Sequence, residues 1–155
     1  MRRKDREVTD FTEIVDILTR ADTIRLALHD APYPYVLPLS FGLEAADGKI
    51  ALYFHGALEG FKLGLIARDP HVCVEADIFH RYTEVSDGIT TEYESVIGFG
   101  ICERVYGGEA VKGADLLCAH CGYPGYVYDH AALEFTAVYK VTLERVTGKR
   151  NIREG

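Results

Sequence analysis

Residues 35–54, YVLPLSFGLEAADGKIALYF, carry the pattern that decides how the chain folds. Asp47-Gly48 stands between two apolar segments rich in β-prone side chains, 35–41 and 49–54. Asp-Gly favours a two-residue hairpin turn because both residues tolerate the positive φ angles that such turns require. The stretch therefore predicts that segments 35–41 and 49–54 pair as antiparallel strands.

The segments on either side of this hairpin extend the same architecture. Four more have the composition of strands, and three have apolar residues at helical spacing. The predicted strands are 23–28, 71–77, 92–105 and 133–146, and the predicted helices are 9–19, 60–68 and 109–120. About six strands joined by short turns favour a small antiparallel β-barrel over a doubly wound α/β sheet. The predicted class is therefore mainly β, with a few short helices.

Individual residues add three local predictions. Pro38 cannot donate to a β ladder, which places it at a sheet edge or a bulge. Gly98 and Gly100, within one predicted strand, indicate a bulge or a close approach of the backbone. Thr9 and Asp10 precede the first predicted helix and are its candidate N-caps.

The composition bounds the classes of function. A length of 155 residues predicts a single domain spanning 1–155, and a chain that is 48% hydrophobic and 26% charged is typical of a globular protein. The formal net charge of -7 argues against a general nucleic-acid binder, because such proteins neutralise phosphates with Lys and Arg. No segment has the character of a secretory signal or a transmembrane helix, so we expect a cytoplasmic protein without a membrane partner.

Two of the four cysteines, Cys118 and Cys121, form a CxxC sequence. Such a pair is found in dithiol redox sites and as half of a zinc site. A second pair of metal ligands at suitable spacing is missing, and the predicted strand order does not supply the βαβ setting of a redox motif. We therefore expect reduced thiols without a functional role, and no metal.

A series of segments, taken in order, identifies a relationship. The segments are RLAL at 25–28, PYVLPLSFG at 34–42, YFHGA at 53–57, GFK at 60–62, YESVIGFG at 93–100 and TGKR at 147–150. Together they resemble the nitroimidazole-resistance (nitroimidazole reductase-like) branch of the pyridoxamine 5′-phosphate oxidase-related flavin proteins. The similarity covers nearly the whole chain.

The resemblance implies a six-stranded antiparallel split β-barrel that forms a homodimer and binds FMN where the two subunits meet. It places residues 55–62 near the flavin phosphate, 37–41 along the isoalloxazine ring and 93–96 on a neighbouring strand. The residues that it implies for cofactor binding are Arg25, Pro38, Leu39, Ser40, Phe54, His55, Gly56, Ala57, Lys62 and Ser95. His55 is also the implied catalytic residue.

The chemistry of these side chains agrees with such a site. A phosphate dianion favours charge-assisted donors, which the Lys62 ammonium supplies, while Gly56 would let backbone N–H groups approach. Arg25 is a second phosphate candidate. Each residue also has a simpler interpretation: Lys62 as a solvated charge, Arg25 as a partner in a surface salt bridge, and His55 as a partly buried imidazole that hydrogen-bonds the turn.

The resemblance predicts a flavin-dependent oxidoreductase that acts on a small molecule, with nitroaromatics as one substrate class. The flavin would carry the electrons, and His55 or a water molecule would supply a proton. The alternative is a non-catalytic protein that binds or carries flavin or another small ligand, such as haem or a deazaflavin.

Overall fold

The computed structural model describes residues 3–153. Residues 1–2 and 154–155 lie outside the described residues. The strands are β1 Glu7–Val8, β2 Ile24–Leu28, β3 Tyr35–Leu39, β4 Gly42–Ala46, β5 Lys49–Gly56, β6 His71–Val85, β7 Gly88–Val105 and β8 Ala137–Asn151. The helices are α1 Phe11–Arg20, α2 Phe61–Arg68 and α3 Gly107–His120, with short 3-10 turns at Lys4–Arg6 and His130–Phe135.

All eight strands belong to one antiparallel sheet. Seven follow the order β3-β2-β6-β7-β8-β5-β4, and the short β1 pairs with β8. The two edge strands of this order, β3 and β4, are consecutive in the chain and are joined only by Ser40 and Phe41. The sheet must therefore curl until these edges meet at a corner, although no ladder between β3 and β4 closes it within residues 3–153. The mainly β, antiparallel prediction is confirmed, and the count of six strands is too low.

The hairpin at Asp47-Gly48 is confirmed, but its first strand is not the predicted one. Asp47 has φ 52° and Gly48 φ 72°, as this turn requires. The partner of β5 is β4, with Ala46 opposite Lys49 and Gly42 opposite Tyr53. Segment 35–41 instead yields β3, which pairs with β2. A two-residue turn fixes the register, so only the residues directly before it can pair with β5, even though GLEAA has few β-prone side chains.

The remaining local predictions are mostly correct. The Asp10 carboxylate accepts a hydrogen bond from the Glu13 amide at 3.0 Å and caps α1. Pro38 lies on the edge strand β3. The register of β7 against β8 shifts at Phe99/Gly100, and a Cβ at Gly100 would collide with the carbonyl oxygen of Thr142. The predicted strands 71–77 and 92–105 were too short, because they continue into the long β6–β7 hairpin, and the last strand begins at Ala137 rather than 133.

The core lies between the inner face of the curled sheet and α1. This helix buries Ile14, Ile17 and Leu18. On the outer face, α3 packs so closely on β5 that a Cβ at Gly113 would lie 2.6 Å from the Tyr53 ring. None of the helices within residues 3–153 has both the length and the apolar character needed to cross a bilayer.

A buried carboxylate joins α1, β7 and β8. Glu94 is 2% exposed and accepts hydrogen bonds from Arg20 and Arg150, each at 2.7 Å, while His80 Nε2 lies 3.1 Å away. Burial raises the pKa of Glu94, but these three partners together outweigh it and hold the pKa at about 2. Arg150, at the end of the basic segment 147–150, thus serves an internal ion pair.

We predict that Glu94→Gln lowers the free energy of unfolding by about 2–3 kcal/mol at pH 7. A carboxylate with a depressed pKa stabilises the fold above its ordinary pKa of 4.5, and this contribution disappears as the pH falls toward 2. The deficit of the variant should therefore shrink on acidification, as measured by urea unfolding between pH 7 and pH 3. Glu103→Gln, at an exposed position of β7, is the control, and an E94Q protein as stable as wild type at pH 7 would contradict the prediction.

Candidate functional site

The end of β5 and the start of α2 form a small basic site. Gly56 is the last residue of β5, and Lys62 is the second residue of α2. A Cβ at Gly56 would lie only 2.9 Å from Lys62 Nζ, so the ammonium rests directly over the glycine. Lys62 is half-buried and forms no ion pair or side-chain hydrogen bond with any of residues 3–153. Its charge is therefore available to an anion.

The first turn of α2 adds to this site. Gly60 precedes the helix with φ 151°, a conformation that favours glycine, and no side chain caps the helix there. The partial positive charge of a helix N-terminus favours an anion. The Tyr35 and Phe61 rings meet edge to face at 5.1 Å, which brings β3 beside the segment from Gly56 to Lys62. The structure thus brings together this segment and one of the strands that the resemblance implicates.

Arg25, Pro38 and Ser95 lie on the outer face of the sheet. Arg25 is directly opposite Pro38 on β3 and Glu75 on β6, and Ser95 is opposite Asp77. The Arg25 guanidinium donates to Glu75 at 3.0 Å and to Asp77, and these hydrogen bonds raise its pKa. In this arrangement a phosphate would compete with two carboxylates for Arg25, as the salt-bridge interpretation expects. Ligand binding by these residues stays a prediction.

Phe54 and His55 occupy opposite faces of β5. The Phe54 side chain is fully buried and stacks on Tyr139 at 5.4 Å, so only its backbone could contact a ligand. Pairing with β4 stops at Tyr53, which leaves one backbone edge of residues 54–56 without a strand partner among the described residues. His55 points away from the core, and its side chain lines a cavity of about 180 Å³ against α3. Because side chains alternate along a strand, His55 does not share a face with Gly56, over which Lys62 lies.

The other predicted ligand residues lie at the end of β3, in its connection to β4 and directly after β5. Leu39 is half-buried and packs against the core, whereas Ser40 is exposed just before the corner. Ala57 is exposed directly after Gly56. Ligand binding by Leu39, Ser40 and Ala57 therefore stays a prediction.

Sequence reasoning missed most of the wall around His55. The cavity is lined by Ala114, Leu117 and Cys118 of α3, and by Tyr126 and Tyr128 of the connector that follows that helix. The connector, GYPGYVYDH at 122–130, is rich in tyrosine and glycine, and this composition was the available signal. The helical residues gave no signal, because helical periodicity does not reveal which strand a face will cover.

A second missed cluster lies at the other end of the outer face. The Asp69 carboxylate lies between His29 Nδ1 at 2.6 Å and His71 Nδ1 at 2.7 Å, and these contacts hold the pKa of Asp69 well below its usual range. Both imidazoles border a cavity of about 440 Å³ that also includes Cys73 and Arg145. The two histidines are far apart in sequence, so only the pairing of β2 with β6 brings them together.

Both cysteines of the CxxC sequence are free thiols. Cys118 is half-buried in the His55 cavity, and Cys121 is exposed at the C-terminus of α3. Within residues 3–153, no group of three or more His, Cys, Asp or Glu side chains is arranged to hold a metal ion.

Residues 10–150 match the family model described as pyridoxamine 5′-phosphate oxidase. The chain belongs to this family. One similar solved structure is that of a candidate 5-nitroimidazole antibiotic resistance protein from Bacteroides thetaiotaomicron. The two sequences are 26% identical, and the structures align with a TM-score of 0.82 over 92% of this chain and 85% of that one. No curated protein matches the chain.

Two more distant structures share the fold. A FAD-binding protein from Mesorhizobium loti is 20% identical with a TM-score of 0.69, over 95% of this chain and 98% of that one. The flavocytochrome Anf3 from Azotobacter vinelandii is 19% identical with a TM-score of 0.77, over 99% of this chain and 72% of its own. The pyridoxamine 5′-phosphate oxidase family assignment agrees with the relationship that the ordered sequence segments indicated.

We predict that Lys62→Met weakens the binding of a phosphate-bearing ligand by about 10- to 100-fold, since a hydrogen bond to a charged group contributes about 1.5–3 kcal/mol. The measurement is the Kd for FMN by fluorescence titration. Lys49→Met, at an exposed lysine beside the Asp47-Gly48 turn, is the matched control and should leave the Kd unchanged. Equal affinity in the two variants would remove Lys62 from the phosphate site.

Proposed function

We propose that the chain is an FMN-binding flavoprotein and a flavin-dependent oxidoreductase that reduces a small, uncharged substrate such as a nitroaromatic compound. The observation that carries this proposal is the Lys62 ammonium, half-buried over Gly56 at the start of α2 and without a carboxylate partner among residues 3–153. Such a site suits a phosphate monoester, because ammonium, glycine backbone and helix N-terminus all favour a dianion.

The comparisons support a flavin as the ligand. The Mesorhizobium structure is a FAD-binding protein and the Azotobacter structure is a flavocytochrome. The Bacteroides structure supports a nitroimidazole as one substrate class. We favour FMN over FAD because the site offers a single ammonium for one terminal phosphate, and because the resemblance points to FMN.

We further propose that the fold acts as a split barrel in a homodimer, with the flavin between the subunits. The outer face that carries Arg25, Pro38 and Ser95 also exposes Val36, Ile97 and Phe99, whose exposed fractions are 56%, 42% and 41%. Exposed apolar side chains grouped on one sheet face are typical of an interface. A second copy over this face would bury them and cover a flavin that lies along β3.

In this proposal, different residues bind the flavin phosphate, contact the flavin ring and supply the proton. Bound flavin would supply the electrons for reduction. Lys62 and the N-terminus of α2 bind its phosphate, and residues 38–40 lie along the ring. His55, which lines the cavity against α3, supplies a proton to the substrate.

We predict that the purified protein is yellow, with flavin absorbance bands, and that mass spectrometry of the released ligand identifies FMN. Reduction of this flavin by a reduced nicotinamide and its reoxidation by nitrobenzene would support the oxidoreductase. Flavin that binds without turnover would support the non-catalytic binder or carrier instead. A Soret band without flavin bands would replace FMN by haem as the cofactor.

We predict that His55→Gln lowers kcat for nitrobenzene reduction by about 10²-fold or more, as expected for loss of a general acid. The Kd for FMN should change little, because His55 and the Gly56–Lys62 site lie on opposite faces of β5. His71→Gln, at an exposed histidine of β6, is the control. An unchanged kcat in H55Q would assign proton delivery to water, and a large loss of FMN affinity would make His55 a cofactor ligand.

A further inference from the structure

The cavity behind His55 has a different chemistry from the basic site at the end of β5. It is bounded by β5, by α3, by the connector that follows α3 and by the 3-10 turn at His130–Phe135, and its volume is about 180 Å³. Besides His55, its lining is Ala114, Leu117, Cys118, Tyr126, Tyr128, Leu133 and Thr136. The cavity therefore sits beside the proposed catalytic residue, on the face of β5 opposite to Gly56 and Lys62.

No Asp, Glu, Lys or Arg belongs to this lining. The larger cavity on the outer sheet face, in contrast, includes Glu144 and Arg145. A charged group that enters a cavity without a compensating charge loses its hydration and gains no ion pair. The His55 cavity therefore offers a charged ligand no ion pair within its lining, whereas hydroxyl, thiol and imidazole groups remain to hydrogen-bond an uncharged one.

Two tyrosines, Tyr126 and Tyr128, belong to the cavity lining. The Tyr128 hydroxyl donates to the carbonyl oxygen of Val111 at 3.3 Å, and burial raises the pKa of Tyr128 to about 12, so the phenol stays neutral. Tyr126 packs edge to face against Tyr123 at 6.3 Å. Aromatic walls favour planar ring ligands through stacked and edge-to-face contacts.

We propose that this cavity binds a small, uncharged, planar ring compound, and that Ala114, Tyr126 and Tyr128 determine which ring is accepted. The inference rests on the proposed function, because it makes the cavity the place where a substrate meets His55. It also sets a limit on the substrate: the cavity favours an uncharged ring over a compound that carries a carboxylate or a phosphate, as pyridoxamine 5′-phosphate does.

The test uses two ring compounds of similar shape and different charge, nitrobenzene and 4-nitrobenzoate, and the full chain as purified. Binding is measured by NMR titration. Nitrobenzene should saturate, with chemical-shift changes at His55, Tyr126 and Tyr128, and 4-nitrobenzoate should bind at least tenfold more weakly. Ala114→Trp fills the cavity and should weaken nitrobenzene binding at least tenfold, whereas Ala119→Trp, on an exposed position of the same helix, should not.

Three results would overturn the proposal: equal affinity for the two compounds, unchanged nitrobenzene affinity in A114W, or shift changes confined to residues outside the cavity. If A114W does not fold, the charge comparison and the shift map in the wild-type protein decide the matter. The Kd for FMN is measured on the same samples. If the wild-type protein does not bind FMN, the flavoprotein proposal is refuted. The ring-binding proposal would still stand, because the NMR titration measures nitrobenzene binding without flavin.

Discussion

The two-residue connection between β3 and β4 is the constraint on which the rest of the structure depends. Ser40 and Phe41 join strands that stand at opposite ends of the hydrogen-bonded order, so the sheet has to curl on itself. Phe41 is fully buried and fixes this corner to the core. The curl also decides where a ligand can approach, because β4 covers β5 only as far as Tyr53. The last residues of β5 are thereby left open beside β3.

Strand alternation then divides this open end into two environments. Gly56 faces the side on which Lys62 places its ammonium, and His55, one residue earlier, faces the uncharged cavity beneath α3. In the proposed function, the Lys62 side of β5 binds the flavin phosphate and the His55 side receives the uncharged substrate. Two adjacent residues of one strand would then keep cofactor phosphate and substrate on opposite faces.

The features that could be predicted from the sequence are those fixed by local chemistry. Asp47-Gly48 predicted the two-residue turn, and Asp10 predicted the N-cap of α1. Gly98 and Gly100 predicted the irregular pairing of β7 with β8. β4 was missed because its pairing is imposed by the register of the turn and not by its own side chains.

In the candidate site, too, the residues that are close in sequence could be predicted, and the contacts between distant segments could not. The family resemblance located Gly56 and Lys62, which are close in sequence and in space. The carboxylates that hold Arg25 come from residues about fifty positions later, and the burial of Phe54 depends on which face of β5 meets the core. The spacing of residues along the chain predicts neither the ion pairs of Arg25 nor the burial of Phe54. The connector tyrosines reach His55 only because α3 lies across β5, a long-range contact that no local pattern encodes.

The Glu94 ion-pair network also has a consequence for the order in which the protein folds. Arg20 lies near one end of the described chain and Arg150 near the other, and both bind the same carboxylate. Contacts between residues so distant in sequence close long loops and form late, whereas the β6–β7 hairpin that carries Glu94 is local. We therefore expect the Glu94 carboxylate to lose its hydration late in folding, once Arg20 and Arg150 are both in place to compensate its charge.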